Sequence, residues 1–235
     1  MKTYSVTHKG LVRDQNQDRF LVEEFSNGCV LLAVADGAGG ETKGERAAEI
    51  AKESLVNFDR DSEAIEAQFV TLMQAADQEI VEMVEEEPDL KGMGSTMTAA
   101  FVREGVVSWA HVGDSRLYLF RGGELTQITE DDTMAGFLLE EGEITKEEAR
   151  SHPGRNFLFE FIGCGQFEPE SGNFALQEHD LLLLTTDGLH DKITEEAIVS
   201  ILRSETDLGE KLKTLVSTAL ELSGKDNVTV VGIEV

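Results

Sequence analysis

Aspartate and glycine stand together at the ends of several predicted strands. Each of three short apolar runs is typical of a buried strand and stops at such a pair. The runs and their aspartates are 30–35 with Asp36, 106–112 with Asp114, and 181–186 with Asp187. Two more aspartates, Asp18 and Asp226, stand where other predicted strands begin. Because a strand holds a carboxylate in a fixed position, these five acids could meet in one pocket at a sheet edge.

A single Asp-Gly pair usually forms a turn, but several such pairs in one domain favour a shared site. Two unit charges about 4 Å apart repel by about 4 kcal/mol at an effective dielectric of about 20, so a bare cluster would be destabilised. Divalent cations remove that cost. An all-oxygen shell of carboxylates and a glycine carbonyl suits Mg²⁺ or Mn²⁺. Zinc would favour cysteine and histidine, of which the chain has only two and five.

A pair of such ions favours phosphate-ester hydrolysis. Two ions roughly 3.5 to 4 Å apart can activate a water molecule and hold a phosphoryl group. The substrate then needs a positive group to orient it. Arg13, shortly before Asp18, offers a planar guanidinium that matches phosphate oxygens. The alternative for Arg13 is a surface ion pair with Asp14 or Asp18.

The elements that position these side chains predict an α+β framework. Besides the three runs above, strands are predicted at 3–8, 19–24, 96–103, 116–121, 173–177 and 227–234, and helices at 42–57, 65–84, 194–203 and 208–222. Most strands follow one another as hairpins while the helices come in blocks, which indicates a layered sandwich rather than an alternating parallel fold. Residues 130–170 hold two short helical pieces and are predicted to leave this core.

Length and charge narrow the class of protein. The 235 residues fit one large domain. A net charge of −26 argues against nucleic-acid and anionic membrane partners and favours basic protein segments or metal ions, although plain solubility also explains many acids. The sequence has no signal-peptide run and no apolar window long enough to span a membrane, and its two cysteines are isolated. We therefore expect a cytoplasmic protein, complete in itself.

Six motifs together resemble those of one enzyme family. In order they are 13–18 (RDQNQD), 34–40 (VADGAGG), 94–98 (GSTMT), 110–116 (AHVGDSR), 184–189 (LTTDGL) and 226–229 (DNVT). This series resembles the metal-dependent protein serine/threonine phosphatases, also called protein phosphatases of type 2C, and is most similar to their compact bacterial members. The resemblance extends from about residue 3 to 234. One such motif is weak, but six in the right order and spacing are specific.

The resemblance implies a four-layer α-β-β-α sandwich, in which two antiparallel sheets pack face to face and helices cover both outer sides. It implies one phosphatase domain over residues 1–235, with a flap subdomain at about 133–165. Asp36 would bridge two metals, the Gly37 carbonyl would ligate one, and Arg13 would bind phosphate. The remaining implied ligands are Asp187 and Asp226 on the first metal, Asp18 on the second, and Asp114 with Asp187 on a looser third ion.

The chain departs from the family pattern at two places. Where many members carry a histidine that protonates the leaving alkoxide, this chain has Glu41. A glutamate can donate that proton only if its pKa is raised from about 4.3; otherwise a metal-bound water must donate it. The flap is also atypical. Two of its segments, Asp131–Thr133 and Phe159–Ile162, differ from the residues that members of the family usually carry at those places. A substrate preference therefore cannot be transferred from other members.

The predicted function is hydrolysis of phosphoserine and phosphothreonine in proteins, dependent on Mg²⁺ or Mn²⁺ and carried out by a water that bridges two ions. The expected partners are phosphorylated proteins, with basic segments favoured, and the default oligomeric state is a monomer. Two alternatives remain: a small-molecule phosphomonoesterase, and a catalytically silent relative that binds phosphoproteins. His111 and His190 are both predicted to be structural, with hydrogen bonds that satisfy them inside the core.

Overall fold

The computed structural model describes residues 1–40 and 43–235. Its strands are β1 Lys2–His8, β2 Arg19–Glu24, β3 Val30–Ala35, β4 Gly37–Ala38, β5 Gly94–Ser95, β6 Met97–Arg103, β7 Val106–Val112, β8 Arg116–Arg121, β9 Glu124–Gln127, β10 Glu170–Ala175, β11 Leu181–Thr185 and β12 Val228–Glu234. Its α-helices are α1 Lys43–Ser54, α2 Ile65–Glu86, α3 Met134–Glu140, α4 Lys146–Ser151, α5 Asp187–His190, α6 Glu195–Leu202 and α7 Leu208–Leu222. Short 3-10 helices lie at Leu55–Asn57 and Pro88–Leu90.

Ten of the strands form two antiparallel five-stranded sheets. The first has the order β1-β12-β11-β8-β9 and the second β10-β7-β6-β3-β2. The remaining strands, β4 and β5, pair with each other as Gly37↔Ser95 and Ala38↔Gly94. In the first sheet, β12 lies between β1 and β11, so the chain's two ends are hydrogen-bonded side by side. This pairing brings residues near 10 and near 226 to the same edge.

Strand β3 of the second sheet is buried on both of its faces. All six of its residues are buried. Because successive side chains of a strand point to opposite faces, Leu31 and Ala33 pack in the cluster that contains α1 and α2, while Leu32 and Val34 pack between the two sheets. The sequence of a strand that is buried on both faces is a continuous apolar run, as it is in β3.

The opposite outer layer is built in the same way. Helices α6 and α7 place Ile198, Leu212 and Leu215 in a cluster with Leu183 and other residues of the first sheet. The order of layers is therefore helices, sheet, sheet, helices, and the predicted four-layer α+β sandwich is confirmed. No helix in the described part of the chain has the length and apolar character needed to cross a bilayer.

Some element boundaries differ from the prediction. Strand β10 lies at Glu170–Ala175 rather than 173–177, and pairs with β7 through Glu170↔His111 to Ala175↔Val106. Gly172 pairs with Trp109 in this register, and a side chain at Gly172 would meet the Trp109 ring at 3.1 Å. Strand β9, the short strand β4 and the single-turn helix α5 were not predicted, since each is too short to show periodicity.

Residues 133–165 leave the sandwich between β9 and β10. Thr133 caps α3 by accepting from the Gly136 amide, and Thr145 forms a capping box with Glu148 at the start of α4. Two isolated bridges, Thr133↔Leu158 and Ser95↔Ile162, hold the returning segment. The two short helices match the predicted helical pieces.

Candidate metal and phosphate site

Asp18 lies buried where β2 begins, beneath the ends of two strands of the other sheet. The hydroxyls of Thr186 and Thr229 both donate to its Oδ2, at 2.9 Å and 2.6 Å. These residues follow β11 and belong to β12, so the carboxyl group joins three distant parts of the chain. Its Oδ1 is buried and has no hydrogen-bond partner among the described residues.

Asp36 and Asp187 face each other across the two sheets. The charge of Asp187 is one of the causes that raise the pKa of Asp36, so the two carboxyl groups lie close enough to interact. The backbone of Asp36 is fixed through its amide, which donates to the Thr96 hydroxyl at 3.0 Å, and through its carbonyl, which accepts from Ser95 at 3.0 Å. Asp187 begins α5, and its Oδ1 is a second buried oxygen without a hydrogen-bond partner.

Arg13 and Asp226 form an ion pair, with Nη2 of Arg13 at 2.8 Å from Oδ2 of Asp226. The predicted alternative for Arg13 was a surface ion pair with Asp14 or Asp18. Arg13 does form an ion pair, but its partner is Asp226. The arginine side chain is 50% exposed, so its guanidinium lies at the boundary between the acidic cluster and solvent. The carboxylate of Asp226 raises the pKa of Arg13 further, which keeps the guanidinium charged.

Asp114 is buried beside the tight Gly113 turn. It borders a cavity of about 740 Å³ between the flap helices and α5, together with His190, Asp191 and Arg155. Burial raises the pKa of Asp114 well above its usual value, and the charges of Asp187, Asp131 and Asp191 raise it further. Asp114 is therefore near enough to Asp187 for the two charges to interact.

The titration behaviour of the acids follows from their mutual proximity. Burial raises the pKa of Asp18 to about 7 and that of Asp187 to about 6, and the charge of Asp226 contributes to both. The pKa of Asp36 is raised well above its usual value, first by burial and then by Asp18, Asp187, Asp114 and Asp226. Carboxyl groups perturb one another in this way only when they share a poorly solvated region. The five acids from across the chain are thus gathered in one place.

The donor set fits a hard divalent cation. In residues 1–40 and 43–235, no three acidic, histidine or cysteine side chains are already arranged to hold one ion between them. The cluster nevertheless contains two buried carboxylate oxygens that accept no hydrogen bond, Asp18 Oδ1 and Asp187 Oδ1. Unsatisfied carboxylate oxygens in a cluster of like charge are the ligands that Mg²⁺ and Mn²⁺ prefer.

Gly37 is fixed by a close approach of two backbones. A side chain at Gly37 would meet the Gly44 carbonyl oxygen at 1.9 Å, and one at Gly44 would meet the Gly37 carbonyl oxygen at 2.4 Å. Only glycine fits at either position, because the overlap is with backbone atoms that cannot move aside. Gly37 follows Asp36 directly in the chain. Glu41, the predicted proton donor, lies outside the described residues.

Sequence reasoning missed two asparagines that organise the site. Asn227 Nδ2 donates to the carbonyls of Lys9 and Gln15 at 2.8 Å and 2.9 Å, and its Oδ1 accepts from the Gln17 amide at 2.8 Å. It thereby holds the loop that carries Arg13. Asn156 of the flap donates to Asp187 Oδ2 at 3.4 Å. Asn227 follows Asp226 in a quoted motif and could have been noticed, whereas nothing in the sequence near Asn156 indicates its contact.

Both predicted structural histidines are satisfied inside the core. Nε2 of His111 lies 3.0 Å and 2.9 Å from the carbonyl oxygens of Gly113 and Glu130, and Nδ1 lies 2.8 Å from the Thr98 hydroxyl. His190 is buried, and its Nδ1 lies 2.9 Å from the Thr185 hydroxyl. Their structural assignment is confirmed.

The chain is similar to proteins of known family along nearly its whole length. The sequence profile described as protein phosphatase 2C matches residues 7–221. The serine/threonine protein phosphatase PstP of Mycobacterium tuberculosis is 39% identical over 229 residues, which are 97% of this chain and 43% of that protein. The serine/threonine phosphatase stp of Listeria monocytogenes is 37% identical over 235 residues, covering 97% of this chain and 93% of the relative.

A solved structure agrees with the sequence relatives. The catalytic domain of a serine/threonine protein phosphatase PstP, crystallised in complex with two manganese ions, superimposes with a TM-score of 0.86 at 36% identity. The superposition covers 100% of this chain and 98% of that one. The chain spans less than half of the full mycobacterial protein but nearly all of the Listeria protein. On these matches and on its four-layer sandwich, the chain belongs to the protein phosphatase 2C family.

Proposed function

We propose that this protein is a divalent-metal-dependent phosphatase that removes phosphate from phosphoserine and phosphothreonine in other proteins. The observation that carries the proposal is the gathering of five aspartates from residues 18 to 226, with a charged arginine bound at their solvent edge. The names of the family relatives support the substrate class, and the two manganese ions of one relative support the cofactor, Mn²⁺ or Mg²⁺.

The residues proposed to hold the ions are those of the acidic cluster. Asp36 would contact two ions, and the Gly37 carbonyl, Asp187 and Asp226 would complete one shell. Asp18 would serve the second ion, and Asp114 with Asp187 a third. When bound, a pair of such ions supplies Lewis-acid chemistry, because it lowers the pKa of water and offsets negative charge on a phosphoryl group.

Arg13 is the proposed phosphate-binding residue. Its guanidinium has five donors in a planar fork, so it can bind two phosphate oxygens at once. Because it is half exposed and hydrogen-bonded to Asp226, a rotation of the side chain would bring it to a phosphate above the acids. Asn227 is proposed to position Arg13, since it fixes the loop on both sides of that residue. Glu41 is the proposed proton donor to the leaving alkoxide.

The finer features of the proposal concern the whole molecule. We propose one phosphatase domain over residues 1–235 with a flap at about 133–165, acting as a monomer in cytoplasmic signalling. Segments rich in lysine or arginine are the proposed context of the phosphorylated residue, because a net charge of −26 attracts them. Nucleic acid and anionic membranes are not proposed partners for the same reason.

The test is hydrolysis of an aryl phosphate and of a phosphothreonine peptide, each with added Mn²⁺. We expect both to be hydrolysed, and Asp36→Asn to lower both rates by at least about a hundredfold, a typical size for loss of a central electrostatic group. The exposed Asp61→Asn variant is the matched control and should leave the rates unchanged. A wild-type protein that hydrolyses neither substrate would overturn the proposal. Activity on the aryl phosphate and on small metabolites but not on peptides would exclude proteins as substrates.

A further inference from the structure

Three exposed phenylalanines form a cluster on the flap. Of the twelve phenylalanines in the chain, those that the structure leaves exposed are Phe137, Phe157 and Phe159, at 51%, 62% and 45%. Their rings contact one another edge to face, with centroids 6.4 Å apart for Phe137 and Phe159 and 5.8 Å apart for Phe157 and Phe159. A contiguous aromatic patch of this kind usually marks an interaction surface.

The cluster has a fixed backbone. The Phe157 carbonyl accepts from the Met134 amide at 3.1 Å, and the Phe159 amide donates to the Asp132 carbonyl at 2.8 Å. These hydrogen bonds flank the isolated Thr133↔Leu158 bridge and hold Phe157 and Phe159 with their rings in contact. Phe137 lies on α3, whose N-cap Thr133 belongs to the same bridged segment. The three rings are thus held together before any partner binds.

The cluster is continuous with the candidate site. Asn156, which donates to Asp187, directly precedes Phe157. Arg155, one position earlier, pairs with Asp191 at 3.2 Å. The aromatic cluster therefore begins one residue after a side chain that contacts Asp187.

The surroundings of the rings are acidic. A cavity of about 400 Å³ has Phe137 and Phe159 in its wall, and its acidic lining residues are Glu130, Asp131, Asp132, Glu140 and Glu160. Asp131 is neutralised by Arg116 at 2.6 Å. Within the described ranges of the chain, Glu140 and Glu160 make no ion pair with a basic side chain. The groove therefore offers aromatic surface and unneutralised negative charge side by side.

We propose that Phe137, Phe157 and Phe159, with the acidic groove beside them, dock a segment of the phosphoprotein substrate that carries an apolar side chain flanked by lysine or arginine. This docking surface rests on the proposed function for its occupant. The apolar side chain packs on the rings, and the basic side chains bind Glu140 and Glu160. Charge complementarity selects a basic protein segment, because an acidic one would be repelled by the groove and by the whole molecule.

The test compares a small substrate with peptides. The substrates are an aryl phosphate, a phosphothreonine peptide with one leucine and two arginines beside the phosphorylated residue, and the same peptide with serine for leucine. We expect Phe157→Ser/Phe159→Ser to raise KM for the leucine peptide about tenfold, with kcat and aryl phosphate hydrolysis unchanged. The variant should not alter KM for the serine peptide. Val56→Ser, which changes a side chain 83% exposed in the 3-10 helix after α1, is the matched control.

A charge variant tests the groove separately. Glu140→Gln/Glu160→Gln should raise KM for the leucine peptide severalfold in dilute buffer, and the difference should vanish in concentrated salt. If the serine substitutions disturb the fold of the flap, the charge variant still tests the docking surface. Equal KM values for the wild type and both double variants would overturn the proposal, as would a wild-type dimer that the ring substitutions dissociate, because the occupant would then be a second copy.

Failure of docking and failure of the proposed function are distinguishable. Fluorescence anisotropy with the unphosphorylated leucine peptide measures docking without hydrolysis. Weaker binding by the ring variant supports the docking surface even if no substrate is hydrolysed. Identical binding by the wild type and the ring variant overturns docking even if every substrate is hydrolysed.

Discussion

Arg13 donates from Nη2 to Asp226 Oδ2 at 2.8 Å, across 213 positions of sequence. The pair links the loop after β1 to the residue before β12, and these two strands are neighbours in the first sheet. Pairing of β1 with β12 thus brings the Arg13 guanidinium to Asp226, and Asn227 holds the loop that carries Arg13. The proposed phosphate-binding arginine and one of the proposed metal-binding carboxylates are therefore positioned by the same strand pairing.

Arg13→Lys is expected to raise KM for a phosphothreonine peptide about tenfold or more, the usual cost of losing a charge-assisted hydrogen bond. Lysine keeps the positive charge but lacks the planar fork that binds two phosphate oxygens. Steady-state kinetics on the peptide measures the change. The matched control is Arg60→Lys, which changes an exposed arginine outside the six motifs and should leave KM unchanged. An unaltered KM for Arg13→Lys would show that the guanidinium does not bind the phosphate.

Asp36→Asn should have opposite effects on stability with and without metal. In chelator at pH 8 the variant loses a carboxylate that repels its neighbours, and we expect its unfolding free energy to rise by about 1 to 3 kcal/mol. With Mn²⁺ in large excess the wild type gains about 2.7 kcal/mol at a hundredfold ratio of free ion to dissociation constant. The variant should gain much less unfolding free energy from Mn²⁺, so the wild type should be the more stable protein when Mn²⁺ is present.

Urea unfolding with chelator and with Mn²⁺ gives both values for Asp36→Asn. The outcome that contradicts the assignment is an equal gain from Mn²⁺ in the two proteins. Isothermal titration calorimetry gives an independent reading, because the wild type must take up Mn²⁺ and the variant must bind it more weakly.

Thr229→Val should lower the unfolding free energy by about 1 to 3 kcal/mol, the cost of leaving a buried acceptor with too few donors. The Thr229 hydroxyl donates to Asp18 Oδ2 at 2.6 Å, and valine has nearly the same shape without the hydroxyl. Thr126→Val, at an exposed position of β9, is the control and should change stability little. If the two variants unfold at the same urea concentration, the hydroxyl does not stabilise the buried carboxyl group.

His111 should make the protein less stable as pH falls below 6.5. Burial lowers the pKa of His111 in the folded protein to about 4, from 6.5 in the exposed side chain. Between these two values the unfolded chain binds a proton that the folded protein does not, so folding stability falls as pH falls through this window. At roughly 1.4 kcal/mol per pH unit, the loss reaches about 3 kcal/mol by pH 4.

The measurement is urea unfolding of the wild type and His111→Gln from pH 7 to pH 4. The buried aspartates change stability in the opposite sense over this range, since their pKa values are raised in the folded protein. They are common to both proteins, so the difference between the two stability curves isolates the imidazole. A difference that does not vary with pH would contradict the assignment of His111 as a buried neutral side chain.

The strand framework could be predicted because it depends on local pattern. Strand β3 is a continuous apolar run, and its bounds agree with the prediction at residues 30–35. The acids at strand ends followed from the same pattern, and their convergence could be proposed because several such acids stand in one domain. If they converge, cations are needed to offset their mutual repulsion. The predicted bounds were wrong at β10, an edge strand whose extent depends on its pairing with β7 rather than on a pattern of its own.

The sequence by itself determined an α+β layered sandwich, the five aspartates and the candidate arginine, since apolar periodicity and strand ends are local properties of the chain. The four-layer arrangement was expected only from the resemblance of the six motifs to a known family. Tertiary structure alone decided that Arg13 pairs with Asp226, that Asn156 reaches Asp187, and that three flap phenylalanines remain exposed beside an acidic groove. Those relationships join residues far apart in sequence. They depend on how strands pair and how the flap folds back, and residue types and spacing carry no direct information about either.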